Sequence, residues 1–318
     1  MLRLMLDAHP DLAVPGESHF IPALWRGRRR YARRDGGIDA ERLARDIAAT
    51  PHFGHWKIPA EPYLERVRAL PDPSFADVVE AAFLANAAHH GKTRWADKTP
   101  IYVRQTGLLA SLFPHARFVH LIRDGRDVAM SYLTLPWGPS TAWEAAYKWR
   151  RDVQAGLRAT AALGPDRAME LRYENLVAAP RAELERLCAF AGLPFDPVML
   201  RHAEDVDSSR LAPASGLAYH ARSASPPRMG ARDWRYEMVP PEVAKFEAIA
   251  GPLLERLGYE RQRPSAPVTN RAQGVARGLA YRLQEAAGAA RKGARSRLTG
   301  APGAGIGSAS AEAGPGAG

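Results

Sequence analysis

Cysteine is almost missing from this sequence: Cys188 stands alone among 318 residues. That excludes an internal disulfide and a cysteine-based zinc site. Long apolar runs are missing too, and none approaches the roughly 20 residues a membrane-spanning helix needs. The opening twenty residues are broken by Asp7, His9, Pro10 and Asp11, unlike a secretory leader. A reducing, cytoplasmic setting is the expectation. Neither HExxH nor GxSxG occurs, so a zinc-protease site and a hydrolase elbow have no support. The pairs His52/His55 and His89/His90 lack a carboxylate or cysteine set to complete a metal site, and no metal is expected. Gly91-Lys92-Thr93 ends like a phosphate-binding loop. However, Ala87 occupies the position where the first glycine belongs, and a helical pattern precedes it, so Gly91 reads as a helix cap.

What is present points to a folded chain. Apolar residues make up 46% and charged residues 25%, with seven tryptophans, the composition of a globular protein with a sizeable core. The net charge of +10 is unevenly placed. Residues 261–318 carry nine Arg or Lys against two Glu, while residues 1–260 carry 35 basic against 32 acidic side chains. A second basic cluster runs from Arg26 through Arg28, Arg29, Arg30, Arg33 and Arg34. Basicity is therefore mostly a property of the tail, and a specific nucleic-acid partner is not expected. Two units follow: a body over 1–263 and a basic, Ala/Gly-rich tail over 264–318. From Asn270 to Leu298 the tail has the makings of a basic helix weakened by Gly274, Gly278, Gly288 and Gly293. Beyond Gly300 there is almost nothing to bury. The plain reading is a solvated tail; the sharper one is peripheral contact with acidic lipid or nucleic acid.

The body alternates helical and strand patterns. Helices are expected over Ala76–His89, Gly107–Phe113, from Val128, over Pro180–Ala191 with Gly192 past its end, and over Pro241–Leu257. Arg117 to Ile122 is apolar on both faces and reads as a buried parallel strand; Ala168–Leu171 is a second strand. This alternation predicts an α/β fold, a mainly parallel sheet with helices on both faces. Ligands in such sheets bind at the carboxyl ends of strands, which points to Arg123–Asp127 and to Tyr173. Arg123, Arg126 and Ser131, with a helix start near Asp127, suit a phosphate; a salt-bridge lattice with Asp124 and Asp127 is the competing reading. Lys98, between Asp97 and Pro100, can bring a point charge to a polar site. Glu17, on a Pro-Gly turn, reads as a base with a raised pKa. The segment between Pro22 and Pro73 carries Trp25, Tyr31, Phe53, Trp56 and Tyr63, either an acceptor wall or core.

Taken in order, Leu6-Asp7-Ala8-His9-Pro10, Pro15-Gly16-Glu17-Ser18, Asp97-Lys98-Thr99-Pro100, Phe113 to Phe118, Ile122 to Asp127 with Ser131, and Arg172 to Leu176 form one pattern. It resembles the sulfotransferases that use 3′-phosphoadenosine 5′-phosphosulfate (PAPS), in their bacterial and tyrosylprotein-sulfotransferase-like branch. The resemblance implies a three-layer P-loop-type fold and PAPS as donor without a metal. It also implies a hydroxyl acceptor: a sugar, phenol, lipid or peptide. By the same resemblance Glu17 takes the acceptor's proton and Lys98 stabilises the leaving phosphate. Arg123 and Ser131 hold the 3′-phosphate, Tyr173 lies beside the adenine, and Arg228 or Arg232 closes over the nucleotide. Members of this family open with a strand and a Pro-Arg-Ser-Gly-Thr-Thr-type loop around the 5′-phosphosulfate, and the present sequence shows neither before Met1. The first central strand is thus expected to be missing, with a native start upstream of Met1. The alternative is a nucleotide-binding or interaction module without turnover.

Overall fold

The computed structural model describes residues 1–135, 138–201, 233–262 and 272–281, together with 283, 284 and 287. In chain order the elements are α1 (Leu2–Asp7), β1 (Leu12–Ala13), α2 (Ile21–Arg26), α3 (Ala40–Ala48), α4 (Pro51–Gly54), α5 (Glu61–Arg68), α6 (Phe75–His89) and β2 (Arg94–Trp95). Then follow α7 (Thr106–Leu112), β3 (Phe118–Ile122), α8 (Gly125–Leu133), α9 (Ala142–Leu163), β4 (Ala168–Arg172), α10 (Tyr173–Ala178) and α11 (Pro180–Ala191). The chain closes with α12 (Trp234–Glu237), α13 (Pro240–Arg256) and a helix over 272–281, here α14. Local chemistry sets several of these bounds. Ser74 and Asp77 form a reciprocal capping box that starts α6 one residue earlier than its apolar spacing predicts. Gly192, left-handed at φ 66°, ends α11. Asp124 caps α8, which therefore begins at Gly125, ahead of the start expected at Val128.

The strands form two parallel pairs. Leu12 lies opposite Arg94 and Ala13 opposite Trp95 in the first. In the second, Phe118 to Ile122 run opposite Ala168 to Arg172. Among the described residues β2 and β3 are not hydrogen-bonded to each other, so the parallel sheet is split into halves. Helix α9 covers one face of the second half closely. A Cβ on Gly156 would stand 2.2 Å from the His120 ring, so only glycine lets the helix come that near. The other face is covered over β4, where Met169 and Leu171 pack with Leu184, Leu187 and Cys188 of α11. Over β3 it is not, and Val119 and Leu121 are 37% and 39% exposed. The strand expected to be buried on both faces is thus half open, because nothing described here lies alongside its outer edge.

Three cores hold the described residues together. Helices α2 to α6 enclose the first, and here Tyr31, Phe53, Trp56 and Tyr63 are all buried, with Trp25 packed against them. These aromatics are core and not an acceptor wall. The second joins α8, α9 and α13; the third joins α1, β1, β4 and α11. Side-chain ties join the halves. Arg94 donates to the carbonyls of Ala191 and Gly192 at the end of α11, and Arg104 lies 3.4 Å from Asp152 of α9. Of the opening motif, His9 serves the same end, and Asp7 braces the segment around β1. Asp7 accepts from the Val14 N–H at 2.9 Å, and His9 Nε2 lies 2.8 Å from the Pro194 carbonyl. Lys92, of the rejected phosphate-loop triplet, donates to the Leu12 carbonyl and lies 3.6 Å from Asp7, so it anchors β1.

Candidate active site

Each half-sheet delivers one pair of side chains from the carboxyl ends of its strands, where ligands bind in parallel sheets. After β1 and β2 come Glu17 and Lys98; after β3 and β4 come Arg123 and Tyr173.

In the first pair, Lys98 Nζ lies 2.5 Å from Glu17 Oε1. The two sit on separate loops that a polar network welds together. The Ser18 N–H donates to Thr99 Oγ1 at 3.0 Å, and the Ser18 hydroxyl donates to Asp97 Oδ2 at 2.8 Å. Thr99 donates to Asp97 Oδ1 at 2.9 Å, and the Tyr102 hydroxyl lies 3.0 Å from Ser18 Oγ while accepting from the Ile21 N–H. Trp56 donates its indole N–H to the Gly16 carbonyl at 2.9 Å, which props the Pro-Gly turn. The sequence pointed to Glu17 and Lys98 but not to Ser18, Thr99 and Tyr102, nor to the hold of Trp56 on the Glu17 turn. Their signal was only adjacency to a candidate, which carries little weight without contacts.

His19 was also missed. Its backbone is left-handed at φ 51°, a strained state for a non-glycine residue that clusters at functional sites. This places Nε2 of the ring 2.8 Å from Glu17 Oε2. The His19 ring is 4.6 Å from that of His52, and His52 is 5.8 Å from His55. Burial, with His19 and His55 alongside, holds His52 down at about 4. These histidines back the carboxylate and are not a detached pair.

The electrostatics correct the expected base. Burial pushes Glu17 up, but the His19 hydrogen bond and the charge and hydrogen bond of Lys98 outweigh it, and the carboxyl is held down at about 2. The raised pKa belongs to its neighbour. Burial lifts Asp97 to about 6, against the hydrogen bonds from Ser18 and Thr99. Glu17 is therefore a carboxylate at every ordinary pH, and a weak base while Lys98 stays on it.

In the second pair, the Arg123 guanidinium lies over the Tyr173 ring, 4.3 Å from its centroid. Ser131 is part-buried on α8, two turns beyond the helix start. Arg126 does not join them. It is fully buried, gripped by both oxygens of Asp124 and by Glu247 at 2.7 Å, with Trp234 stacked 3.6 Å from its guanidinium. The helix start is not an open anion site either. Asp124 already accepts from the Arg126 N–H, and Asp127 brings a second carboxylate into the first turn. The salt-bridge lattice weighed from the sequence is thus real for Arg126, and it is buried. Arg123 also makes such a contact, 3.2 Å to Asp127. An anion at Arg123 must compete with Asp127. Asp127→Asn, which keeps an oxygen for the Trp234 N–H, is expected to tighten binding of a phosphate anion at Arg123 about two- to fivefold, the worth of one partly exposed ion pair. Calorimetric titration reads this directly, and equal or weaker binding would remove Asp127 as competitor. Arg228 and Arg232, offered from sequence to close over a nucleotide, lie outside the described residues.

Comparison with known proteins gives a consistent result. The chain is 24% identical over 269 residues to a protein-tyrosine sulfotransferase of Drosophila melanogaster, covering 82% of this chain and 49% of that one. It is 24% identical over 271 residues to protein-tyrosine sulfotransferase 1 of Danio rerio, covering 82% and 68%. The chain thus spans about half to two thirds of the length of these curated relatives. The sulfotransferase domain of the Synechococcus PCC 7002 olefin synthase superposes with a TM-score of 0.54 at 24% identity, covering 81% of this chain and 90% of that one, a likeness of fold. The sulfotransferase family profile matches residues 1–197, more than half of the sequence. With its parallel α/β architecture and that match, the chain belongs to the sulfotransferase family.

Proposed function

We propose that this chain transfers a sulfuryl group from PAPS to a hydroxyl acceptor. The observation that carries the reading is the contact between Glu17 and Lys98 at adjoining strand ends. The donor set beyond it suits the nucleotide: a guanidinium for a phosphate, a hydroxyl on the next helix, and an aromatic ring for a base.

Bound PAPS supplies an activated sulfuryl group on a phosphate leaving group. The chain does the rest. Arg123 and Ser131 hold the 3′-phosphate, and Tyr173 lies against the adenine. Glu17 Oε accepts the proton of the acceptor hydroxyl as its oxygen bonds to sulfur and the bond from sulfur to the phosphate oxygen breaks. Lys98 neutralises the charge left on that oxygen. One lysine cannot clamp Glu17 and serve the phosphate equally well, so Lys98 moves toward the phosphate when the donor is in place. Glu17 then loses the partner that holds its pKa down and becomes a stronger base when one is needed. His19 keeps it oriented. Such chemistry is chiefly positioning and charge stabilisation, as in phosphoryl transfer.

The names of the relatives favour a tyrosine phenol as acceptor. The test is transfer of label from [35S]PAPS by the chain to a tyrosine peptide, a simple phenol, a sugar and a lipid headgroup. Transfer to any of them supports the reading and names the acceptor class. A second reading, nucleotide binding without turnover, is favoured by the split of the strands into two separate pairs among the described residues. Tight binding of adenosine 3′,5′-bisphosphate with no transfer to any acceptor selects it.

A further inference from the structure

Helix α14, at 272–281, sits in the basic tail where glycines were expected to undo a helix. The structure gives two of them a purpose. A Cβ on Gly274 would lie 2.4 Å from Ile249 Cδ1 of α13 and 3.4 Å from Trp143 of α9. One on Gly278 would lie 2.8 Å from Tyr147 of α9. The two glycines, one turn apart, let the helix backbone settle on these side chains. The guanidinium of Arg277 adds a contact, 5.8 Å from the Trp143 ring.

With the inner face fixed, the outer face is determined. Val275, Leu279 and Leu283 recur every fourth residue and are 68%, 55% and 64% exposed, so they form one apolar stripe. The stretch from Arg271 to Arg297 carries seven Arg or Lys and a single Glu. A merely solvated tail needs no such stripe. We propose that α14 lies in the interface of an anionic lipid bilayer, its stripe in the headgroup boundary and its flanking basic residues on the lipid phosphates and carboxylates. Nucleic acid would satisfy the arginines and leave Val275, Leu279 and Leu283 in water. A second copy would bury the stripe but bring two strongly basic tails together. The proposal is independent of the reaction.

The test is sedimentation of the full chain with vesicles of phosphatidylcholine, with and without about one third phosphatidylserine. Binding to the anionic vesicles at low salt is expected, at least about tenfold weaker without phosphatidylserine and falling as salt rises. Val275→Ser, Leu279→Ser and Leu283→Ser together should weaken it about tenfold or more, with an unchanged Tm because all three are exposed. Absence of binding to anionic vesicles, or binding indifferent to the triple substitution, would overturn the proposal. So would a concentration-dependent dimer, or duplex DNA binding, that the triple substitution abolishes without vesicles present.

Discussion

Glu17→Gln is expected to lower turnover about 10²–10⁴-fold, the range for losing a general base, while binding of adenosine 3′,5′-bisphosphate is kept or tightened, because the substitution loosens the hold on Lys98. Glutamine keeps the shape of the side chain and can still meet His19 and Lys98, so the loop weld at Ser18, Asp97 and Thr99 is left alone. What it removes is the capacity to take a proton. An unchanged turnover number would remove Glu17 from the reaction.

The depressed pKa adds a second expectation at the same residue. A carboxyl lowered from 4.5 to about 2 favours the folded state above its unfolded value, and that contribution is lost as pH falls through about 2. Glu17 is 31% exposed, so the effect on stability is screened. The informative reading is spectroscopic. In Lys98→Met the Glu17 carboxyl, followed by carbon-13 NMR, is expected to titrate above about 2, because one of its two clamps is gone. A carboxyl that stays at about 2 would mean that His19 alone holds it and that moving Lys98 gains no basicity.

Arg126→Ala is expected to destabilise the fold by about 3–5 kcal/mol, the loss typical of breaking a buried ion pair from one side. Asp124 and Glu247 would be left buried beside a cavity under Trp234. The damage reaches the site, because Asp124 caps α8 and its N–H donates to Glu174 Oε1 at 2.8 Å. Urea unfolding measures the loss. A second variant separates charge from packing. Arg126→Met with Glu247→Gln keeps volume and removes one charge of each sign, and it should lose clearly less than Arg126→Ala. Equal losses would assign the effect to Asp124, which both variants leave buried without the guanidinium.

The fold was legible wherever chain-local physics decides it. Alternation of apolar runs with helical spacing gave the parallel α/β class, and the Pro180–Ala191 helix emerged as read because Pro180 and Gly192 fix its ends within one turn. Motif order singled out Glu17, Lys98, Arg123 and Tyr173; strands were legible only ahead of Arg123 and Tyr173, because β1 and β2 are two residues each and too short to show a pattern. Burial of charge was not legible. Arg123 and Arg126 share one short segment, yet one lies on Tyr173 near the surface and the other is sealed against Asp124 and Glu247, a partner 121 residues away. The direction of the Glu17 pKa was hidden for the same reason. It is set by Lys98, 81 residues on, and by a left-handed His19, which no local pattern announces. Gly274 and Gly278 looked like helix breakers because propensity is counted residue by residue, while the contact they permit exists only once α9 and α13 are in place. What the sequence determined by itself is the parallel α/β class and the chemistry available at the candidate residues. Which charges meet, and which are withdrawn from water, only the tertiary structure decided, because electrostatic energy depends on distance and burial and neither is written along the chain.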